Sequence, residues 1–132
     1  MSITVTDASG RTVLASGNAD KAGHLPDNAR LFMKVFGDEN GEPVGLAFWR
    51  YATLLSDTRI PVDGYRDERF ALPADAQWPL HVETHLQFRI YPQWVTDLVQ
   101  QTVPELPDPP IVTLNHLTAD WETSDQAARE AP

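Results

Sequence analysis

Residues 80–91, LHVETHLQFRIY, alternate without a break: Leu80, Val82, Thr84, Leu86, Phe88 and Ile90 fall on one side, and His81, Glu83, His85, Gln87, Arg89 and Tyr91 on the other. Successive side chains of a β-strand point to opposite faces, so this segment reads as a strand with one face in a core and the other in water. Pro92 follows and suits the first position of a helix, where its missing N–H costs nothing. A short helix is therefore expected through about Gln101, with Trp94, Val95, Leu98 and Val99 on its buried side.

The flanking sequence repeats the pattern of short apolar runs cut by turns. Ile3 and Val5 alternate with Thr4 and Thr6, Asp7–Gly10 turns, and Arg11–Ser16 returns, which predicts a β-hairpin. Gly17 to Asn28 is a loop carrying His24, and Ala29 to Phe36 is expected as a strand ending in the turn Gly37–Gly41. Val44 to Leu55 is rich in aromatics and reads as a strand; a helix over Leu46–Leu55 would place Phe48, Trp49 and Tyr51 on no single stripe. Ser56 to Gly64 is a loop, and Tyr65 to Leu72 a further strand stopped by Pro73. Beyond the helix, Val103 to Pro110 is proline-dense and extended, Ile111 to Leu114 supplies a last edge strand, and residues 118–132 form an acidic, flexible tail.

About seven short strands with turns between them predict a mainly β fold. The expectation is an antiparallel β-sandwich of immunoglobulin-like architecture, one domain over residues 1–117, with one short helix near the C-terminal end. Trp49 and Trp94 are expected in its interior.

A chain of 132 residues with 42% hydrophobic and 22% charged residues can bury a core without disulfides or a structural metal. Its net charge of −9 repels nucleic acid and anionic lipid, and suits a basic protein or a cation. The absence of cysteine excludes disulfides, Cys-ligated zinc, iron–sulfur clusters and covalent c-type haem within these residues. No apolar run approaches the ~20 residues of a membrane span, and MSITVTDASG has neither the basic nor the apolar region of a signal peptide.

No nucleophile elbow, P-loop, dinucleotide fingerprint or H-E-x-x-H helix occurs, so no catalytic residue is assigned. His81, Glu83 and His85 offer a ligand set for a divalent metal on the polar face of one strand. On a straight strand, however, same-face side chains two apart are separated by about 7 Å and those four apart by about 13 Å, which favours a solvated face unless the strand bends. The acidic loops Asp38-Glu39-Asn40 and Asp57 to Glu68 carry oxygen ligands but lack the spacing of a calcium loop. Their residues equally serve turns and ion pairs with Arg59, Arg66 and Arg69. His24 and His116, both expected in loops, are candidate axial ligands facing a haem supplied by another chain.

Several stretches taken in order, ARLFMKVFGDENGEPVG (29–45), FWRY (48–51), DTRIP (57–61) and GYRDERFALP (64–73), resemble the haem-free C-terminal β-domain of multihaem c-type cytochromes. ITVTDASGRTVLASG (3–17), LQFRIYPQW (86–94) and LPDPPIV (106–112) are similar to other parts of that domain, so the likeness spans about Ile3 to Leu114. The resemblance implies a non-catalytic structural or docking module of an electron-transfer system, periplasmic or extracellular. It would bind no haem covalently and would associate with a multihaem c-type cytochrome chain or domain that holds the haem c. Arg50, Asp57, Arg59, Tyr65, Arg66 and Asp67 would form its interaction loop. The reading from the residues alone leaves another class open: a free-standing β-sandwich binding a small ligand or a divalent metal through His81, Glu83 and His85.

Overall fold

The computed structural model describes residues 1–123. In chain order its elements are β1 (Ser2–Thr6), β2 (Thr12–Ser16), β3 (Lys34–Gly37), a single 3-10 turn (Phe48–Arg50), β4 (Thr53–Asp57), β5 (Leu80–Phe88), α1 (Gln93–Gln100) and β6 (Val112–Trp121). The protein is mainly β, as the sequence predicts, with antiparallel sheets of four strands (β2-β1-β5-β6) and two strands (β3-β4) and one short helix toward the C-terminal end. The described chain falls into two compact units, one built from Met1–Arg30 with Phe70 onward and the other from Leu31–Arg69.

In the first unit, β5 lies between β1 and β6. Val5, Leu80 and Val82 form the buried cluster, with Ile3, Val13, Leu14, Leu72, Ala76, Trp78 and Trp121 packed around it. Burying each large aliphatic side chain contributes about 1.5–3 kcal/mol. The apolar face of β5 is buried only over its first half, and Phe88 and Ile90 are exposed. The pairing explains why. Strand β1 covers His81 to His85, whereas β6 runs alongside the whole of β5 from Leu80 to Phe88.

Three turns share one construction, Asp-x-x-Gly-x, at Asp7–Arg11, Asp20–His24 and Asp38–Glu42. In each, the aspartate N–H donates to the carbonyl four residues on, and the glycine N–H donates back to the aspartate carbonyl. One carboxylate oxygen also accepts from the second and fourth N–H groups after it, at 2.9–3.1 Å. Glycine is needed at the fourth position because φ there is +80° in Gly10 and Gly41 and +88° in Gly23. The turns at Asp7 and Asp38 link β1 to β2 and lead out of β3.

Helix α1 begins after Pro92, as expected. Its buried residues are Gln93, Val95 and Thr96, whereas Trp94, Leu98 and Val99 are exposed. The helix is seated on a polar network rather than an apolar stripe. The Gln93 amide donates to Asp97 (3.1 Å) and Asp108 (2.8 Å) and accepts from Arg89, whose guanidinium also donates to the Gly23 carbonyl (2.8 Å).

Other boundaries differ from expectation. The strand expected over Ala29–Phe36 forms only from Lys34. The segment Val44–Leu55 is interrupted by Gly45 at φ +53° and by the 3-10 turn, so strand structure begins at Thr53 and takes in Ser56 and Asp57. Tyr65 to Leu72 has no strand partner and is irregular. Trp49 and Trp94 are exposed, not interior. Strand β6 is ten residues long, and its final residues, Thr118 to Trp121, pair with Glu83 to Leu80 instead of opening a flexible tail. Backbone pairing along β5 supplies their hydrogen bonds whatever their side chains. Residues 124–132 of that expected tail lie outside the described residues.

Candidate metal centre

Antiparallel pairing of β5 with β6 sets His85 directly opposite His116 and Glu83 opposite Thr118. Glu83 and His85 are two residues apart on one strand, so both stand on the same face. The carboxylate of Glu83 turns toward the histidine pair. Its Oε1 lies 2.9 Å from His116 Nε2 and 3.3 Å from His85 Nε2. The two imidazoles stack with centroids 4.2 Å apart and planes within 4° of parallel. One ligating atom from each of the three residues falls within 4.8 Å of the others.

The pairing resolves the spacing problem of a single strand. Ligands four apart on β5 are too distant to share an ion, whereas a cross-strand neighbour stands about 4.5–5.5 Å away at Cβ. Accordingly His81 is not in the cluster: its Nδ1 lies 2.6 Å from the carboxylate of Asp120, its own cross-strand neighbour. His116, expected in a loop, stands on β6 and takes the third place. The signal for it in the sequence was the stretch VTLNHLTADW, whose Val112 and Leu114 mark a strand that the polar residues after them conceal.

Hydrogen bonding from His116 foremost, then from His85, holds the Glu83 carboxyl below its ordinary range despite partial desolvation. His24 lies elsewhere, on the Asp20–His24 turn, with Nε2 2.7 Å from Asp97 on α1, and Asp97 first among its neighbours raises its pKa.

The residues expected as an interaction loop all belong to the Leu31–Arg69 unit. Several of them pair locally. Arg50 donates to Asp38, which lies outside the loop. Arg59 grips Asp57 through two bonds of 2.8 and 2.9 Å, and the guanidinium holds that carboxyl at about 2. Arg66 reaches Glu68 at 2.8 Å across Asp67, and Tyr65 is exposed.

Around these pairs the unit presents an unusual amount of apolar surface. Phe48 is 77% exposed, Trp49 75%, Val62 92% and Tyr65 79%. Phe48 and Trp49 meet edge to face (5.4 Å), as do Phe36 and Tyr51 (4.8 Å), and Phe36, Val44, Gly45, Phe48 and Tyr51 line an open groove.

No family model matches the chain, and no curated protein or solved structure is significantly similar to it. Among the described residues, no helix is long and apolar enough to cross a membrane.

Proposed function

We propose that this chain is a non-catalytic docking module that associates with a multihaem c-type cytochrome chain or domain in a periplasmic or extracellular electron-transfer system. The redox chemistry resides in the haem of that partner. The observation that carries this reading is the exposure of Phe48, Trp49, Val62 and Tyr65 on the unit that also carries Arg50, Arg59 and Arg66. Aromatic residues and arginine are the types that dominate binding energy at protein interfaces, and exposed large apolar side chains such as the adjoining Phe48 and Trp49 are what a partner would cover. The choice of partner rests on the ordered likeness of residues 29–73 to the haem-free cytochrome domain. The residues of this likeness include those surface aromatics.

Co-expression of the chain with the proteins encoded by its genomic neighbours tests the reading. Affinity purification of the chain is expected to recover a haem-staining partner in stoichiometric amount. Trp49→Ala and Phe48→Ala are each expected to weaken the complex by about 2 kcal/mol, roughly thirtyfold in Kd, as truncation of a central aromatic does. Failure to recover any haem-bearing protein, or recovery undiminished by either variant, overturns it.

A further inference from the structure

A binding site separate from the docking surface is carried by the four-stranded sheet. We infer that Glu83, His85 and His116 form a site for one borderline divalent transition-metal ion of the zinc, copper and nickel class, spanning the inner strand β5 and the edge strand β6. Two imidazoles and one carboxylate are the donor set that such ions take, leaving one or more positions to water.

The geometry is close to what coordination requires. Ligands at about 2.0–2.2 Å from a tetrahedral ion lie roughly 3.3 Å from one another. The carboxylate oxygen already stands 2.9 and 3.3 Å from the two Nε2 atoms. An ion entering this cluster replaces the protons now shared between them, and the three donors need converge by no more than about 1.5 Å. Rotation about the soft imidazole torsions splays the stacked rings enough for each Nε2 to point at a common centre. Partial exposure of all three side chains leaves an entry path and room for water ligands.

Two further features separate this cluster from the other histidines. His81 and His24 are each bonded to aspartate, but neither brings a second histidine to the same carboxylate. Only at Glu83 do two rings converge on one oxygen among the described residues. The acidic loops offer no equivalent: Asp38 spends one oxygen on two backbone N–H groups and the other on Arg50. A hard cation such as calcium, which takes six to eight oxygens, is not served by a cluster with two nitrogens.

Isothermal titration of the metal-free full chain with Zn(II), Cu(II) and Ni(II) tests the inference, with Ca(II) and Mg(II) as comparisons. One transition-metal ion per chain is expected, with no saturable uptake of Ca(II) or Mg(II). His116→Ala and His85→Ala should each weaken Zn(II) binding about ten- to hundredfold or more, since even an outer-sphere partner is worth that much. His81→Ala and His24→Ala should bind as wild type. Circular dichroism checks that each variant is folded; if an alanine variant is not, Glu83→Gln and His116→Gln replace it. Bound Co(II) should show the visible bands of a low-coordinate nitrogen and oxygen site, and the β6 amides should exchange more slowly with Zn(II) present. Absence of saturable binding to wild type overturns the inference. So does a loss with His81→Ala or His24→Ala as large as that with His116→Ala, or folded glutamine variants that bind as wild type; the three side chains are then a cross-strand hydrogen-bonded cluster only.

Discussion

Aspartate at the start of a turn does more here than tolerate an unusual backbone. Asp7, buried beneath its turn, accepts from Ser9 and from the N–H of Arg11, and its second oxygen faces the Arg11 guanidinium at 3.3 Å. The Ser9 hydroxyl foremost, then the backbone donors, bring its carboxyl from 3.8 to about 2 against the opposing effect of desolvation. A folded-state pKa below the unfolded value means that folding favours the ionised form. The stabilisation is therefore fully present above about pH 4 and is lost as the pH falls toward 2. Thermal melts of wild type and Asp7→Ala from pH 2 to pH 7 should show a lower Tm for the variant at neutral pH and a gap that closes with acidification. A constant gap would mean that Asp7 contributes through shape rather than charge.

At the scale of an element, α1 shows how far side-chain chemistry can depart from an apolar stripe. Its fully buried Thr96 has an Oγ1 with no hydrogen-bond partner among the described residues. A buried hydroxyl without a partner costs about 1–3 kcal/mol, and valine is close to it in shape and helix propensity. Thr96→Val is expected to raise the unfolding free energy by about 1 kcal/mol in urea titrations; a destabilised variant would reveal a partner for the hydroxyl. Gln93 is the opposite case, since its amide is bonded at both ends. The helix itself was legible from Pro92 and the apolar spacing. Its orientation was not, because Asp108 and, through Arg89, Gly23 are brought to it from other parts of the chain.

The strands divide in the same way. Period-two alternation located β1, β2 and β5, where one face meets a core and the other meets solvent. The edge strand expected over Ile111–Leu114 captured only the start of β6, whose later side chains are mostly exposed, and the strand expected over Tyr65–Leu72 finds no partner although its aromatic and apolar residues mimic one. The strand expected over Val44–Leu55 also overran, since Gly45 and the 3-10 turn intervene. A strand is defined by the neighbour it pairs with, and local composition reports that neighbour only when burial imposes the alternation.

For the whole molecule, the distribution of burial is the dominant fact. The buried hydrophobics among the described residues, Val5, Leu80, Val82 and Val95, all belong to the unit formed by Met1–Arg30 and Phe70 onward. Leu31–Arg69 contributes none of them, and carries twelve of the twenty-three exposed large hydrophobic residues. Few buried apolar contacts mean low local stability. Native-state hydrogen exchange should therefore show β3 and β4 opening at lower free energy than β1 and β5. Equal protection in both sheets would contradict this account and remove one support for a partner covering Phe48 and Trp49. Leu80→Ala, at the centre of the buried cluster, should cost about 2–5 kcal/mol, as deletion of a packed leucine side chain does.

The sequence by itself determined the mainly β class, the hairpin at the N-terminus, the strand at Leu80, the helix start at Pro92 and the exclusion of cysteine-based chemistry. Each follows from local rules: alternation, turn residues, the missing proline N–H and the absence of a thiol. Tertiary structure alone decided that His116, not His81, joins Glu83 and His85. That selection depends on antiparallel register, which places residues 31 and 33 positions apart in the chain side by side. Side chains four apart on one strand, as His81 and His85 are, stand too far apart to share an ion, whereas His85 and His116, facing each other across the antiparallel pair, stand within reach of one.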